Sequence, residues 1–487
     1  MRVKYQFIYL LLLYLFSSCV SEPEGNIEQQ HRNAKLYPDY SNLTIPVNIA
    51  PLNFKIEEEG EAFFVKLSAA KGELTMGSSD GTFCFSEKKW KRFLADNTGS
   101  EITYQIFAKQ DGKWKSYTSF SNKITEARVD PFLYYRLLYP GYESWTEISI
   151  VQRSLEDFSE KAVIENNVVG QNCVNCHAFN NQNADNFMFH MRGSLGGTYF
   201  VKDGDLQKFN LKTKEMKNGA VYPRWHPSGN YVAFSSNKVV QQFHSMDEKK
   251  IEVSDLNSSL VLYDVQKNEI MKIRVDSNEQ FMDTYPEWSP DGTFLYFCRA
   301  KQIGSDYDYR DTKYNLCRSS FNPETRTFGE PEMVYDAEAI GKSVSFPRVS
   351  PEGNALVFTL HNYGCFSIWH KEADLYSVDL NDFSVSECNL NSDYTESYHS
   401  WSSNGRWLVF SSKRGDGLTA RPYISYIDKN GNASKPFVLP QKDPGFYKGF
   451  VKTFNIPEFA QADIDLTPGE IRKVANKEAI QAQWTNN

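Results

Sequence analysis

Cys173-Val174-Asn175-Cys176-His177 sets two thiols three residues apart, with an imidazole directly after the second. The spacing suits two thiols adding across the two vinyl groups of one porphyrin, while the next residue offers a nitrogen to the iron. With eight cysteines and eight histidines among 487 residues, a chance match is improbable. The residues therefore predict one covalent haem c, anchored by Cys173 and Cys176, with His177 as the proximal ligand. The sixth position is open. His190 and Met191 follow on the next segment, and alternation puts His190 on the face of Met188 and opposite Met191. Either His190 or Met191 could reach the iron, and Arg192 could pair with a haem carboxylate. Bis-His ligation would lower the potential and His/Met ligation would raise it.

Two other chemistries compete for the same cysteines. A thioredoxin-like pair needs a strand before it and a helix behind it, whereas Val169-Gly170-Gln171-Asn172 and Ala178-Phe179-Asn180-Asn181 read as loop. A zinc site could use Cys173, Cys176 and His190, with or without His177. Zinc wants four tetrahedral ligands, and adjacent Cys176 and His177 rarely serve one metal.

A covalent haem implies maturation outside the cytoplasm, and the N-terminus agrees. Arg2 and Lys4 precede the apolar run Phe7 to Phe16, too short for a spanning helix, and two small residues lead to Cys19. Small-small-Cys resembles a bacterial lipobox, so Cys19 is the expected lipidation site, with Phe16 standing where a leucine is usual. An ordinary cleaved signal is the alternative. Ser21-Glu22-Pro23-Glu24-Gly25 reads as a polar tether. The net charge of -8 and the lack of a basic block argue against nucleic acid as a partner.

The elements that must position the motif are strands. Tyr222-Pro223-Arg224-Trp225-His226-Pro227-Ser228-Gly229 recurs as Tyr285-Pro286-Glu287-Trp288-Ser289-Pro290-Asp291-Gly292. Further copies begin at Phe346 and Tyr398, the last with Ser403 in place of the turn proline. Each copy is strand, turn, strand, and the glycine supplies the positive φ that the turn needs. Additional strands between copies give about four per unit, the pattern of propeller blades. The copies resemble the Trp-Ser-Pro-Asp-Gly motif of TolB-like six-bladed β-propellers over residues 184–455. Five blades can be counted, and the sixth falls either at 421–439 or on strands shared by the two ends of the domain.

The fold class expected is mostly β. Residues 1–18 form a lipoprotein signal, 19–36 a tether and 37–160 an immunoglobulin-like β-sandwich with a short helix near 87–94. Residues 161–186 form a haem-bearing loop, 187–460 the propeller and 461–487 a tail with a helix. The layout resembles a group of Bacteroidota lipoproteins combining a β-rich N-terminal region, one Cys-x-x-Cys-His and a TolB-like propeller. The resemblance implies an outer-membrane lipoprotein of the cell envelope. It would act in electron transfer or redox sensing, with the propeller docking a protein partner. A scaffold recognising protein or glycan around a structural haem, and a peroxidase-like haem enzyme, are the alternatives.

Overall fold

The computed structural model describes residues 20–140, 147–170, 172–216, 218–244, 249, 251–275, 280–302, 304 and 308–486, with the side chains of 168 and 169 left aside. The signal segment and Cys19 lie outside the described residues. The chain forms two compact units, one of residues up to 128 with 440–450, the other of 129–439 with 451–487. Among the described residues no helix is long and apolar enough to cross a membrane.

The first unit holds a seven-stranded sheet and a three-stranded sheet. Its core stacks Phe54 on Phe83, Phe85 on Trp90 and Tyr104 on Phe120. The expected helix is present at Glu87–Asp96 and buries Trp90, Phe93 and Leu94. Two expectations need correction. The segment 19–36 is no free tether, because Glu28–Gln30 adds in parallel to the edge strand Lys113–Tyr117, and Glu22 lies 3.5 Å from Lys66. An open strand edge offers unpaired backbone groups that recruit such a segment. The domain boundary falls at 128 instead of 160, since the strands after it join the second unit.

Among the described residues, that second unit is built from six sheets of four or five strands. Five of them follow one another along the chain, beginning with the strands Cys173–Asn180, Val221–Trp225, Phe281–Trp288, Ser343–Val349 and Glu396–Trp401. The remaining sheet takes Phe132–Leu138, Ser149–Ser154 and Glu160–Glu165 from before the motif and Thr453–Ala460 from the far end of the unit. The strands Cys173–Asn180 through Glu396–Trp401, then Thr453–Ala460, lie against one another in a closed order. This is a β-propeller whose ring is shut by pairing the two ends of the domain, one of the two closures anticipated. The tail forms the capped helix Pro468–Ala475, then Ile480–Gln481 and Gln483–Trp484 extend the outer edges of two sheets.

The sequence repeat is the mechanical joint between blades. Trp225, Trp288 and Trp401 each donate their indole N–H to a carbonyl on the preceding innermost strand, at Ala178, Arg224 and Arg348. Ser403 departs from proline because its backbone N–H donates to Asp130 at 2.7 Å, a bond proline cannot make. His226 is buried against Trp288 and its Nε2 lies 3.2 Å from the Gly292 carbonyl. Gly292 has φ of +74°, and a Cβ there would sit 2.2 Å from that Nε2. Gly292→Ala is therefore expected to cost about 2–4 kcal/mol, measured as a lower urea midpoint at unchanged slope.

Candidate cofactor site

The Cys-x-x-Cys-His motif lies on an innermost propeller strand and not in a polar loop. Cys173–Asn180 pairs with Asn183–Arg192 through a two-residue turn, Asn181 and Gln182, both at positive φ. The polar run Asn180 to Asn183 is hairpin chemistry, and that is why it imitated a loop.

The motif also stands in register with the blade repeat. Cys176, Tyr222, Tyr285, Phe346, Tyr398 and Ile456 all have φ between 47° and 53°. Each sits where the register of its strand pair shifts, a β-bulge repeated once per blade. The indole bond to Ala178 confirms the alignment, since Arg224 and Arg348 take the same bond in their blades. Cys176 thus occupies the position of an aromatic residue, and His177 the position of a proline in four other blades. The bulge directs these residues to the axis, where Tyr222, Tyr285, Phe346 and Tyr398 form a chain of ring contacts at 4.6, 4.1 and 4.7 Å.

Above this aromatic layer lies a cavity of about 440 Å³. Cys173 and Cys176 both line it, with Asn175 and Arg192 beside them and Tyr222, Phe346, Phe366, Trp369 and Tyr398 among its apolar walls. Burial pushes the Cys173 thiol up, against the pull of Arg136 and Arg192. The Asn175 amide donates to its sulfur at 3.3 Å. Arg192 pairs across from Cys173 and lines the same space.

His177 faces a second, smaller void of about 30 Å³ whose walls include Cys176, Tyr222, Phe346 and Ile456, all shared with the larger cavity. Its side chain is 1% exposed and neither ring nitrogen completes a hydrogen bond. Burial holds the imidazole neutral, pushing it down to about 3, and the nearby Arg136 and Arg224 add to the shift. The two thiols on one cavity suit thioether attachment of a haem, while His177, its ring nitrogens both unpartnered, borders only the adjoining small void and does not line that cavity.

The two distal candidates lie elsewhere. His190 and Met188 share a face, as alternation required, but that face packs toward the next blade. His190 stacks near Phe234 at 5.9 Å, and its Nδ1 is 3.0 Å from Thr198. Met191 is core on the opposite face, among Val174, Phe189 and Tyr199. Neither lines the cavity of Cys173 and Cys176. The zinc alternative fails for the same reason, and among the described residues no three His, Cys, Asp or Glu are arranged to hold a metal ion. Nor do Cys298 and Cys317 form a bridge, because they face different hydrophobic clusters.

Beneath the aromatic layer runs a buried ring of charge that the residue types did not announce. Arg224 lies 3.1 Å from Glu287 and 3.2 Å from Glu458, and Arg348 lies 3.4 Å from Glu287. Glu458 approaches His177 at 3.9 Å. Burial pushes both carboxyls up, and the two arginines pull them back only in part. Burial also brings Arg348 down to about 9. The signal was present as Pro-Arg, Pro-Glu, Pro-Arg and Pro-Glu at 223, 286, 347 and 457, but only superposed repeats reveal it.

His399 takes the proline position on the innermost strand Glu396–Trp401 and donates from Nε2 to the Val357 carbonyl at 2.8 Å. Burial, with Arg348 nearby, pushes it down to about 3 from 6.5. A lowered folded value means the unfolded chain takes the proton first. The contribution is complete above pH 6.5 and is lost as pH falls toward 3. His399→Gln should flatten the fall of stability between pH 6 and 4.5 by about 1.4 kcal/mol per pH unit. Comparing urea midpoints of variant and parent isolates this imidazole from buried Asp255, Glu287 and Glu458, whose upward shifts act in the opposite sense.

No family model matches the chain and no curated protein matches it. Similar solved structures include a prolyl endopeptidase, at 14% identity and TM-score 0.36, over 55% of this chain and 36% of that one. A chain of a nidogen/laminin complex matches at 8% identity and TM-score 0.37, over 68% of this chain and 100% of that one. Hydrazine synthase from Kuenenia stuttgartiensis matches at 11% identity and TM-score 0.30, over 51% and 76%. This chain spans about a third of the prolyl endopeptidase it matches. The propeller assignment rests on the strand pairing and the closed order of innermost strands.

Proposed function

We propose that this chain is a TolB-like six-bladed propeller lipoprotein that carries one haem c on the propeller axis. It would exchange electrons with, or report redox state to, a protein partner of the cell envelope. The first unit would serve as an immunoglobulin-like scaffold, and Cys19 as the lipid anchor to the outer membrane. The observation that carries the reading is the opening of both Cys173 and Cys176 onto one 440 Å³ axial cavity with apolar walls. Cys173 and Cys176 would hold the group by thioethers, and His177 would offer its neutral imidazole. Haem bound there would supply one-electron chemistry, with potential set by ligands and burial. The chain's own part is to bury the group and exclude water with the Tyr222, Phe346 and Tyr398 layer.

A second reading is favoured by where His190 and Met191 point. Among the described residues lining the cavity there is no histidine and no methionine, His177 facing the smaller void beside it. An open sixth position suits a ligand-sensing or peroxidase-like site better than a pure electron carrier. The absorption spectrum of purified protein tests both. A reduced α band of haem c is expected; carbon monoxide binding would select the second reading, and a six-coordinate low-spin spectrum indifferent to carbon monoxide the first. Absence of any haem band would remove both.

A further inference from the structure

The axial cavity holds a buried cation with no carboxylate partner among the described residues. Lys413 follows the strand Trp407–Ser412 and lines the cavity that Cys173 and Cys176 enter. It is 7% exposed. Its ammonium lies over the Trp369 ring at 4.6 Å from the centroid. Among the described residues it has no ion pair and its ammonium donates no hydrogen bond. The nearest carboxylate on its own segment, Asp416, is already engaged by Thr419, by the Leu418 backbone and by Arg421 at 3.7 Å. Burial therefore brings Lys413 down to about 8. Uncompensated buried cations are costly, and proteins keep them where something supplies the opposite charge. The other walls carry the aromatic rings of Phe366, Trp369 and Tyr398 and, beside the thiols, the further cations Arg136 and Arg192.

We propose that the axial cavity seats a carboxylate borne on a flat or apolar body, with the Lys413 ammonium as its counter-charge and Trp369 against the body. The carboxylate has two possible sources: the porphyrin's own side chain, in which case the inference rests on the haem reading above, or a free amphipathic acid, in which case it stands without that reading.

The test uses the full mature chain carrying Cys173→Ala and Cys176→Ala, so that no haem occupies the cavity. It is titrated with 1-pyrenebutyrate and with the neutral 1-pyrenebutanol, following energy transfer from tryptophan. The acid is expected to bind roughly ten- to a hundredfold tighter than the alcohol, the factor that a charge-assisted hydrogen bond supplies. Adding Lys413→Gln should bring the two affinities together, while Lys413→Arg keeps them apart. Lys413→Met should leave the ligand-free chain at least as heat-stable as its parent, because it removes an unpaired buried cation. Equal affinity for acid and alcohol, no binding of either, or no loss with Lys413→Gln would overturn the proposal. Repeating the titration on haem-loaded protein separates the sources. Exclusion of pyrenebutyrate means that a porphyrin carboxylate holds the lysine, and retained binding means a free acid beside it. A chain that takes no haem still answers the first titration, so failure of the haem reading and failure of this inference are distinguishable.

Discussion

Cys173→Ala with Cys176→Ala is expected to abolish covalent haem, leaving no haem stain on a denaturing gel and no haem c band in the spectrum. Each single variant should retain at most one thioether and a fraction of the stain. The chain itself should survive. Both thiols line a cavity instead of filling a packed core, so the loss in stability should stay within about 1–2 kcal/mol. Equal staining of variant and parent would mean that haem sits elsewhere or is bound without thioethers. The prediction separates chemistry from folding, because Cys176 also holds a repeated bulge position with φ of 47°. Alanine keeps a β-carbon there and asks nothing new of the backbone.

Arg224→Ala is expected to destabilise the propeller by about 3–5 kcal/mol, read as a fall in the urea midpoint of the unfolding transition. Arg224 faces both Glu287 and Glu458, and its loss strands buried Glu458 and leaves Glu287 with Arg348 alone. Breaking such a pair costs more than replacing the whole cluster by neutral groups. Adding Glu287→Gln and Glu458→Gln to Arg224→Met should therefore recover most of the loss. A single variant within about 1 kcal/mol of the parent would show that water already reaches the ring. Glu458 stands on the strand Thr453–Ala460 that shuts the propeller, so this ion pair ties the closing strand to its neighbour's neighbour across the axis.

Much of this architecture was legible because turn chemistry is local. The glycines at 229, 292, 353 and 405 have φ between 66° and 74°, a demand written directly into the residue type. The innermost strand of the motif-bearing blade reads as a loop because its turn is Asn181-Gln182 and it carries Cys176-His177-Ala178-Phe179 where the next blade carries Tyr222-Pro223-Arg224-Trp225. The closing blade could not be seen as a unit, since its strands come from opposite ends of the propeller and share no local pattern. The motif residues themselves were legible, as thiol and imidazole spacing is a property of the chain. What surrounds them was not. His190 and Met191 lie near the motif in sequence, but the pleat turns one toward Phe234 and the other into the core with Tyr199. The cavity is made by residues from separate sheets, among them Arg192, Phe346, Trp369 and Lys413, and only closure of the ring assembles it.

The most direct measurement is the intact mass of the chain after export in cells that mature c-type cytochromes, taken before and after cleavage by trypsin. A propeller-borne haem c predicts a mature chain heavier by one haem, with the added mass confined to the peptide containing Cys173, Cys176 and His177. A chain at the mass of its polypeptide and any lipid alone, with both thiols free to react with an alkylating reagent, would contradict it.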